Sequence, residues 1–416
     1  MTERTDSIQI ATSALEMFRK GLMLSEVNLI RYPFFILSKS ELKKLLLKTA
    51  QEEKAQIVYR YEDPATGQVR EWIVTPDAQK GYAGTFDKKV FAAVLKIITD
   101  NGYPPPNPLP LGSLRSICKL IGIESNSGRN LASVKEALKR IGATSIETNT
   151  FYLKNEDEYW REEEKGGMFG LWDVYWKGET LPNGKKAECI YLWLHPPFLV
   201  SLLAYYVKPL DYDYYMNLLP LAQRIYELTS LKFFGLKDST YVKFEYQDFC
   251  KLLPITPQRY FSQAQQKLSR AHEQLLKTKF LKKVQWQGSS RLKPWYILYY
   301  PGERAFKEIE FAKQRLKQYQ FAQGVLKTPD KQASIKLWAE DLYDALGKKT
   351  NMPYYRKLAR LIVEGKIPEN EVFQVLSETK YEYHEGRVHN KSAYFTFHLK
   401  KRLKHQGIDL NALLKE

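Results

Sequence analysis

Arg259, Gln263, Gln266, Lys267, Arg270, Gln274 and Lys277 share one stretch, QRYFSQAQQKLSRAHEQLLKTKFL, running from Gln258 to Leu281. Phe261, Ala264, Leu268, Ala271 and Leu275 recur in it at alternating three- and four-residue spacing, which predicts a helix with one buried stripe. The polar set falls on the opposite side. These residue types suit a nucleic acid: the Arg fork fits guanine O6 and N7, the Gln amide fits adenine, and Lys neutralises phosphate. No carboxylate is expected on that side, whereas an ordinary solvated face mixes signs because Glu–Lys pairs at i,i+4 are favourable. The plain alternative is a solvated basic helix on a basic protein.

The flanking elements favour the first reading. FLKKVQWQ and LKPWYILYYP alternate apolar and polar residues around a Gly-Ser turn, which predicts a β-hairpin. Lys282 and Lys283 lie at its base, Arg291 and Lys293 at its turn. LPLAQRIYELTSLKF predicts a longer helix upstream, and FEYQDFCKLLPI a short strand entering a short helix. Helix, short helix, long basic helix and basic hairpin is the order of a winged helix. In that helix-turn-helix variant the third helix enters the major groove and the hairpin touches the flanking backbone.

Composition narrows the partner. The chain has 416 residues, 44% hydrophobic and 13% aromatic, enough for two or three domains with their own cores. A net charge of +17 points to a polyanion, nucleic acid rather than membrane, and no apolar run approaches the ~20 residues that span a bilayer. MTERTDSIQ is polar and acidic, unlike a signal peptide. Cys118, Cys189 and Cys250 are scattered, forming neither a metal motif nor a disulfide framework, which fits a reducing cytoplasm. The histidines lack ligand-like company. Neither a metal nor a cofactor is expected.

The pattern occurs twice. Residues 8–24 predict a short amphipathic helix, SEVNLIRYPFFILSKSELKK an extended segment, and QIVYRYED-PATG-QVREWIVTP a hairpin. FDKKVFAAVLKIITDNG, LGSLRSICKLIGI and NSGRNLASVKEALKRIG then predict three helices, the last capped near Asn126 and Ser127 and ending at Gly142. Cys-Lys-Leu-Ile at Cys118 recurs as Cys-Lys-Leu-Leu at Cys250, and Leu131, Val134 and Leu138 fall in step with Leu268, Ala271 and Leu275. SIETNTFYLK and ECIYLWL are the expected strands of the first hairpin, separated by an acidic, aromatic insertion. The first copy's third helix presents Arg129, Ser133, Glu136 and Arg140. Its central Glu repels phosphate, so base reading is assigned to the second copy; Arg129, Ser133 and Arg140 remain candidates for backbone contact, with dimerisation as a further role.

The expected fold class is α+β, mainly helical: two tandem winged-helix domains followed by a small helical C-terminal region. The division is 1–84 (helix, extended segment and hairpin), 85–208 (first winged helix with a long wing insertion), 209–303 (second winged helix) and 304–416 (connector helix and helical domain). Three features invite a different chemistry. Glu162 and Asp173 are carboxylates in the insertion, better explained by a decorated wing. His195, between Leu194 and Pro196, reads as a packed histidine. Tyr212, Tyr214 and Tyr215 invite a strand-transfer nucleophile, but the metal-binding histidine pair such an enzyme needs is missing; packing is the simpler role. No catalytic residue is expected. Near the C-terminus, Lys400, Lys401, Arg402 and Lys404 form either a phosphate contact or a solvated helix end.

NLIRYPFFILSK, the FDKKVFAAVLKII helix and the duplicated long third helices resemble the plasmid replication initiator protein A family, from about Asn28 to Tyr300. The resemblance implies two winged helices on repeated origin sites (iterons) of double-stranded DNA, the second dominating specificity and the first sharing in dimerisation. It also implies recruitment of host helicase and the chromosomal initiator, a monomer–dimer equilibrium and repression of the protein's own promoter. Carried over, the reading helix is Arg259 to Lys277. The alternatives are a winged-helix transcriptional regulator without origin function and a nucleic-acid-processing enzyme. The latter needs paired carboxylates, and Asp211 and Asp213 lie in a Tyr-rich linker.

Overall fold

The structure is a computed structural model that describes residues 21–50, 56–62, 69–102, 105–149, 167–204, 206–236, 240–289, 293–322, 335, 338–339, 342–343, 345–347, 351–384 and 387–414. Helix and sheet are mixed. The chain divides into two compact units, residues 1–100 with 111–310, and residues 101–110 with 311–416.

In the first unit, strand β1 (Leu22–Glu26) pairs antiparallel with a later strand, Leu22 opposite Asp211. Residues 22–24 are therefore strand, where the sequence predicted the end of a helix; residues 1–20 lie outside the described set. The next segment is not wholly extended. Glu26 caps helix α1 (Val27–Arg31), its carboxylate accepting from the backbone N–H groups of Asn28 (3.0 Å) and Leu29 (2.9 Å). Helix α2 (Lys39–Ala50) follows. The expected hairpin forms as β2 (Ile57–Glu62) and β3 (Val69–Thr75).

The first repeated block comprises α3 (Thr85–Asp100), β4 (Leu109–Gly112), α4 (Leu114–Leu120) and α5 (Gly128–Ala143). Ser127 caps α5 through the backbone N–H of Asn130. The strands then depart from expectation. β5 (Ser145–Thr148) does not pair with ECIYLWL; it joins β3 in a four-stranded sheet of order β2-β3-β5-β6, with β6 at Gly167–Phe169. The hairpin is instead β7 (Trp172–Tyr175) with β8 (Ile190–Leu194), drawn from within the supposed insertion. Trp172 decides this. It is fully buried, stacks on Phe91 of α3 at 5.8 Å and donates its indole N–H to the carbonyl of Leu138 on α5 (3.2 Å). A Cβ at Gly142 would sit 2.6 Å from the Trp172 carbonyl, so the close passage of α5 and β7 needs that glycine. Residues 150–166, with Glu162, lie outside the described set.

Helix α6 (Pro196–Leu203), strand β9 (Val207–Asp211) and helix α7 (Tyr212–Met216) lead to the second block. That block repeats the first: α8 (Pro220–Phe234), β10 (Val242–Glu245), α9 (Tyr246–Leu252), α10 (Phe261–Lys277), β11 (Leu281–Gln287) and β12 (Tyr296–Pro301). Its sheet order β10-β12-β11 reproduces β4-β8-β7. The buried faces of the long helices also coincide. Val134, Ala137, Leu138 and Ile141 match Leu268, Ala271, His272 and Leu275 at a constant offset of 134. This register lies three residues from the one expected from Leu131, which is only half-buried.

A buried charge cluster joins the blocks. Glu227 of α8 accepts from Lys88 of α3 and from Arg224, each at 3.1 Å, and from the Tyr215 hydroxyl at 2.7 Å. Burial pushes the Lys88 ammonium down to about 8 despite Glu227. Burial would raise the Glu227 carboxyl, but Lys88 and Arg224 reverse this and hold it below the usual range.

In the second unit, helices α12 (Met352–Val363), α13 (Glu369–His384), α14 (Lys391–His405) and α15 (Leu410–Leu413) close on a core that includes Trp338, Tyr355, Phe395 and Leu399. Arg402 pairs with Glu371 and Glu378 of α13, so it braces the helices of this unit. Lys401 and Lys404 are exposed and Lys400 half-buried. Helix α11 (Glu303–Ala322) follows β12 in the chain.

Candidate nucleic-acid interface

Helix α10 is fixed from its buried side. Ala264, Leu268, Ala271, His272 and Leu275 face the core, and Phe261 sets its ring edge-on against Trp286 and Trp295 of the hairpin (5.7 and 5.3 Å). His272 Nε2 meets the Tyr299 hydroxyl of β12 at 2.8 Å, and burial pushes the imidazole down to about 4, so it stays neutral. Lys279, in the left-handed region at φ 57°, turns the chain from α10 into β11. A Cβ on Gly302 would fall 2.2 Å from the Lys279 carbonyl, so only glycine lets β12 leave beside that turn. The hairpin is thereby locked beside the helix.

The outward side of α10 carries Gln263, Gln266, Arg270 and Lys277, all exposed, with Lys267 half-buried at its margin. Arg259 is exposed just before the helix, its guanidinium 5.6 Å from the Tyr260 ring. Two corrections follow. Glu273 is exposed on this same side, so the face is not free of carboxylates. The helix's solvent face centres nearer Gln266 than the sequence wheel placed it, because buried His272 pulls the core stripe around. Gln274 is also diverted: its amide accepts from the Leu219 backbone N–H (2.8 Å) and donates to the Asn217 carbonyl (3.0 Å). It anchors the start of α8 and is not available to pair with a base. Glu273 is legible from the periodic pattern, three residues after Arg270 and four before Lys277, whereas the partners of Gln274 lie 55 and 57 positions away and leave no local signal.

Lys282, Lys283 and Lys293 are exposed on the hairpin; Arg291 lies outside the described residues. Tyr260, 56% exposed at the α10 N-terminus beside Arg259, was missed because a lone aromatic before a helix reads as core. In the first block Arg129 is exposed, and half-buried Ser133 donates its hydroxyl to the Arg129 carbonyl (2.9 Å). Arg140 is a correction: its guanidinium pairs with buried Asp87 and donates to the Lys80 carbonyl, tying α5 to α3. An i,i+7 count cannot foresee a carboxylate 53 positions away.

The features inviting other chemistry are occupied. Tyr212 donates to the Leu120 carbonyl, Tyr214 meets the Thr278 hydroxyl and Tyr215 donates to Glu227; burial raises all three phenols, Tyr214 to about 12. Asp173 pairs with His195 at 3.1 Å. Asp211 caps α7 and pairs with Arg304. Among the described residues no cluster of His, Cys, Asp and Glu fits a metal ion, and no helix is long and apolar enough to cross a membrane.

The described residues thus contain a helix-and-hairpin unit that occurs twice, each copy with a long third helix carrying basic residues. The profile of the replication initiator protein A family matches residues 25–273, more than half of the chain, and the chain belongs to that family. No curated protein matches. Two crystal structures of RctB domains 2–3 are weakly similar. One has 15% identity, covers 59% of this chain and 91% of that chain, and has a TM-score of 0.38; the other has 12%, 62%, 94% and 0.34.

Proposed function

We propose that this protein starts plasmid replication by binding repeated origin sites in double-stranded DNA through two tandem winged helices. Family membership supports a role in replication initiation. The observation that carries the rest is the outward side of α10: Gln263, Gln266 and Arg270 exposed in a row beside a hairpin bearing Lys282, Lys283 and Lys293. Arg270 forks onto guanine, the glutamines onto adenine, and Glu273 is placed to accept from cytosine. The hairpin lysines, with Arg291, hold phosphate, and Arg129 of the first block adds backbone contact. The protein acts in the cytoplasm by positioning DNA and recruiting host helicase and initiator, not by covalent chemistry, and represses its own promoter as a dimer.

Footprinting of the purified protein on DNA flanking its gene tests this. Protection of direct repeats about one or two helical turns apart is expected; protection of a single inverted repeat would instead identify a transcriptional regulator without origin function. Nicking of supercoiled plasmid with magnesium would overturn the non-enzymatic reading. Affinity should fall with salt at a log–log slope of about −0.9 per neutralised phosphate.

A further inference from the structure

Where β1 and α1 meet α3 of the first block and α8 of the second, the first unit holds a small cavity of about 20 Å³. Its wall is mostly apolar, with Leu29, Phe34, Phe91 and Leu95 among the side chains. Lys88, Arg224 and Glu227 line it as well, all buried, so two cations share the wall with one carboxylate. Arg224, 4% exposed, uses its donors unevenly. Nε donates to the Leu252 carbonyl (3.0 Å), and Nη1 to the Ile30 carbonyl (2.7 Å) and to Glu227 (3.1 Å). Nη2, with its two N–H groups, is buried and has no hydrogen-bond partner among the described residues. Glu227 is fully engaged, its Oε1 by the Tyr215 hydroxyl and its Oε2 by Lys88 and Arg224 Nη1.

We propose that this cavity binds one weakly hydrated monovalent anion, a halide such as chloride or bromide, against Arg224 Nη2 and beside the Lys88 ammonium. A buried donor without an acceptor and a buried charge without a counter-charge are each costly, and one anion answers both. A water molecule would accept from Nη2 and leave the extra positive charge standing. Size narrows the ligand further: the cavity has room for roughly one water-sized particle, too little for a phosphate, a sulfate or an organic acid. The apolar wall cannot replace the hydration shell of fluoride, but chloride and bromide give theirs up more readily. Glu227 repels an anion, yet its charge is already matched within the cluster, and the ligand brings two cations and two anions to balance. Ser25 adds a hydroxyl to the wall. The anion thereby braces the junction of β1–α1 with α3 and α8. The site uses no residue of α10 and stands apart from the duplex reading.

The test is diffraction from crystals of the full-length protein soaked in sodium bromide, read at the bromine absorption edge. The wild type should show an anomalous peak against Arg224 Nη2, a readout that needs no variant to fold. The peak should vanish in Ala92→Val, which fills the cavity and leaves every charge in place, and in Lys88→Met, which makes the cluster neutral. Urea denaturation supplies the solution arm. Replacing sodium gluconate by sodium bromide at constant ionic strength should raise the folding constant of the wild type at least about threefold relative to that of Ala92→Val. Dividing by the variant cancels the general effect of each anion on the chain. Chloride should act in the same sense, and fluoride and sulfate should not. An ordered water alone beside Nη2, bromide confined to surface lysines (an adventitious ion only), or an equal anion response in wild type and Ala92→Val would overturn the proposal.

Discussion

Replacing Glu227 by Gln should cost this protein more stability than any single change on the outward side of α10. The carboxylate is the shared acceptor for Lys88 and Arg224, and the three side chains are 9%, 4% and 5% exposed. Gln keeps the volume and an oxygen for the Tyr215 hydroxyl, so the lost quantity is the charge. Removing one member of a buried ion cluster leaves the others uncompensated, typically at about 3–5 kcal/mol. Arg224 retains the Ile30 and Leu252 carbonyls, at 2.7 and 3.0 Å, and so is partly satisfied without Glu227. Lys88 has another escape. Its folded pKa is already near 8, and without the carboxylate it falls further, so the variant sheds that proton as pH rises. A lysine depressed on folding binds fewer protons than in the unfolded chain, so stability rises with pH above its folded pKa. The variant enters that regime earlier than the wild type. The difference between them should therefore be largest near pH 6 and shrink by pH 9. Urea denaturation at the two pH values measures this, and adding Lys88→Met should recover part of the loss at pH 6. A cost below about 1 kcal/mol, or one equal at both pH values, would refute the claim that this cluster is a tightly coupled joint between the blocks.

Other substitutions separate structural from reading roles. Arg270→Ala should relax preference at one or two base pairs by about 1–3 kcal/mol in competition binding, while Lys283→Ala should weaken all duplexes alike and flatten the salt slope by about one unit. Gln274→Ala should lower stability by about 1 kcal/mol in denaturant melts and leave base preference intact, because its amide serves Leu219 and Asn217. Arg140→Met should leave buried Asp87 unpaired and cost about 3 kcal/mol of stability, whereas Arg129→Ala should act on DNA affinity alone. His272 is held neutral with a folded pKa near 4 against an ordinary value of 6.5. The unfolded chain binds the extra proton, so stability should fall as pH drops from about 6.5 toward 4, by at most about 3 kcal/mol. Glu26 and Glu308, both raised from 4.5 to about 7 by burial, have the opposite sign over the part of that range above about pH 4.5. The slope should therefore be read as wild type minus His272→Gln, where their contributions cancel.

What the sequence determined by itself was the set of local periodicities and their repetition. Apolar spacing gave α10 and its inward residues, alternation gave β11 and β12, and the Cys-Lys-Leu echo at Cys118 and Cys250 gave the duplication, because each rests on residues within a few positions of one another. The third-helix register slipped by three residues because His272 is a polar residue in a core slot, tolerated there only because Tyr299, far along the chain, supplies its partner. Strand partners were equally out of reach: the sequence predicted SIETNTFYLK as the partner of ECIYLWL and left Trp172–Tyr175 inside the insertion, and the packing of Trp172 between α3 and α5 decided that Trp172–Tyr175 pairs with Ile190–Leu194 instead. The same limit governs the interface. Composition can say that Arg, Gln and Lys share a helical side, but Arg140 and Gln274 are taken up by Asp87 and by the start of α8, contacts across 53 and 55 positions. Burial and long-range pairing are properties of the folded chain, so which basic residues are left facing solvent was decided by tertiary structure alone.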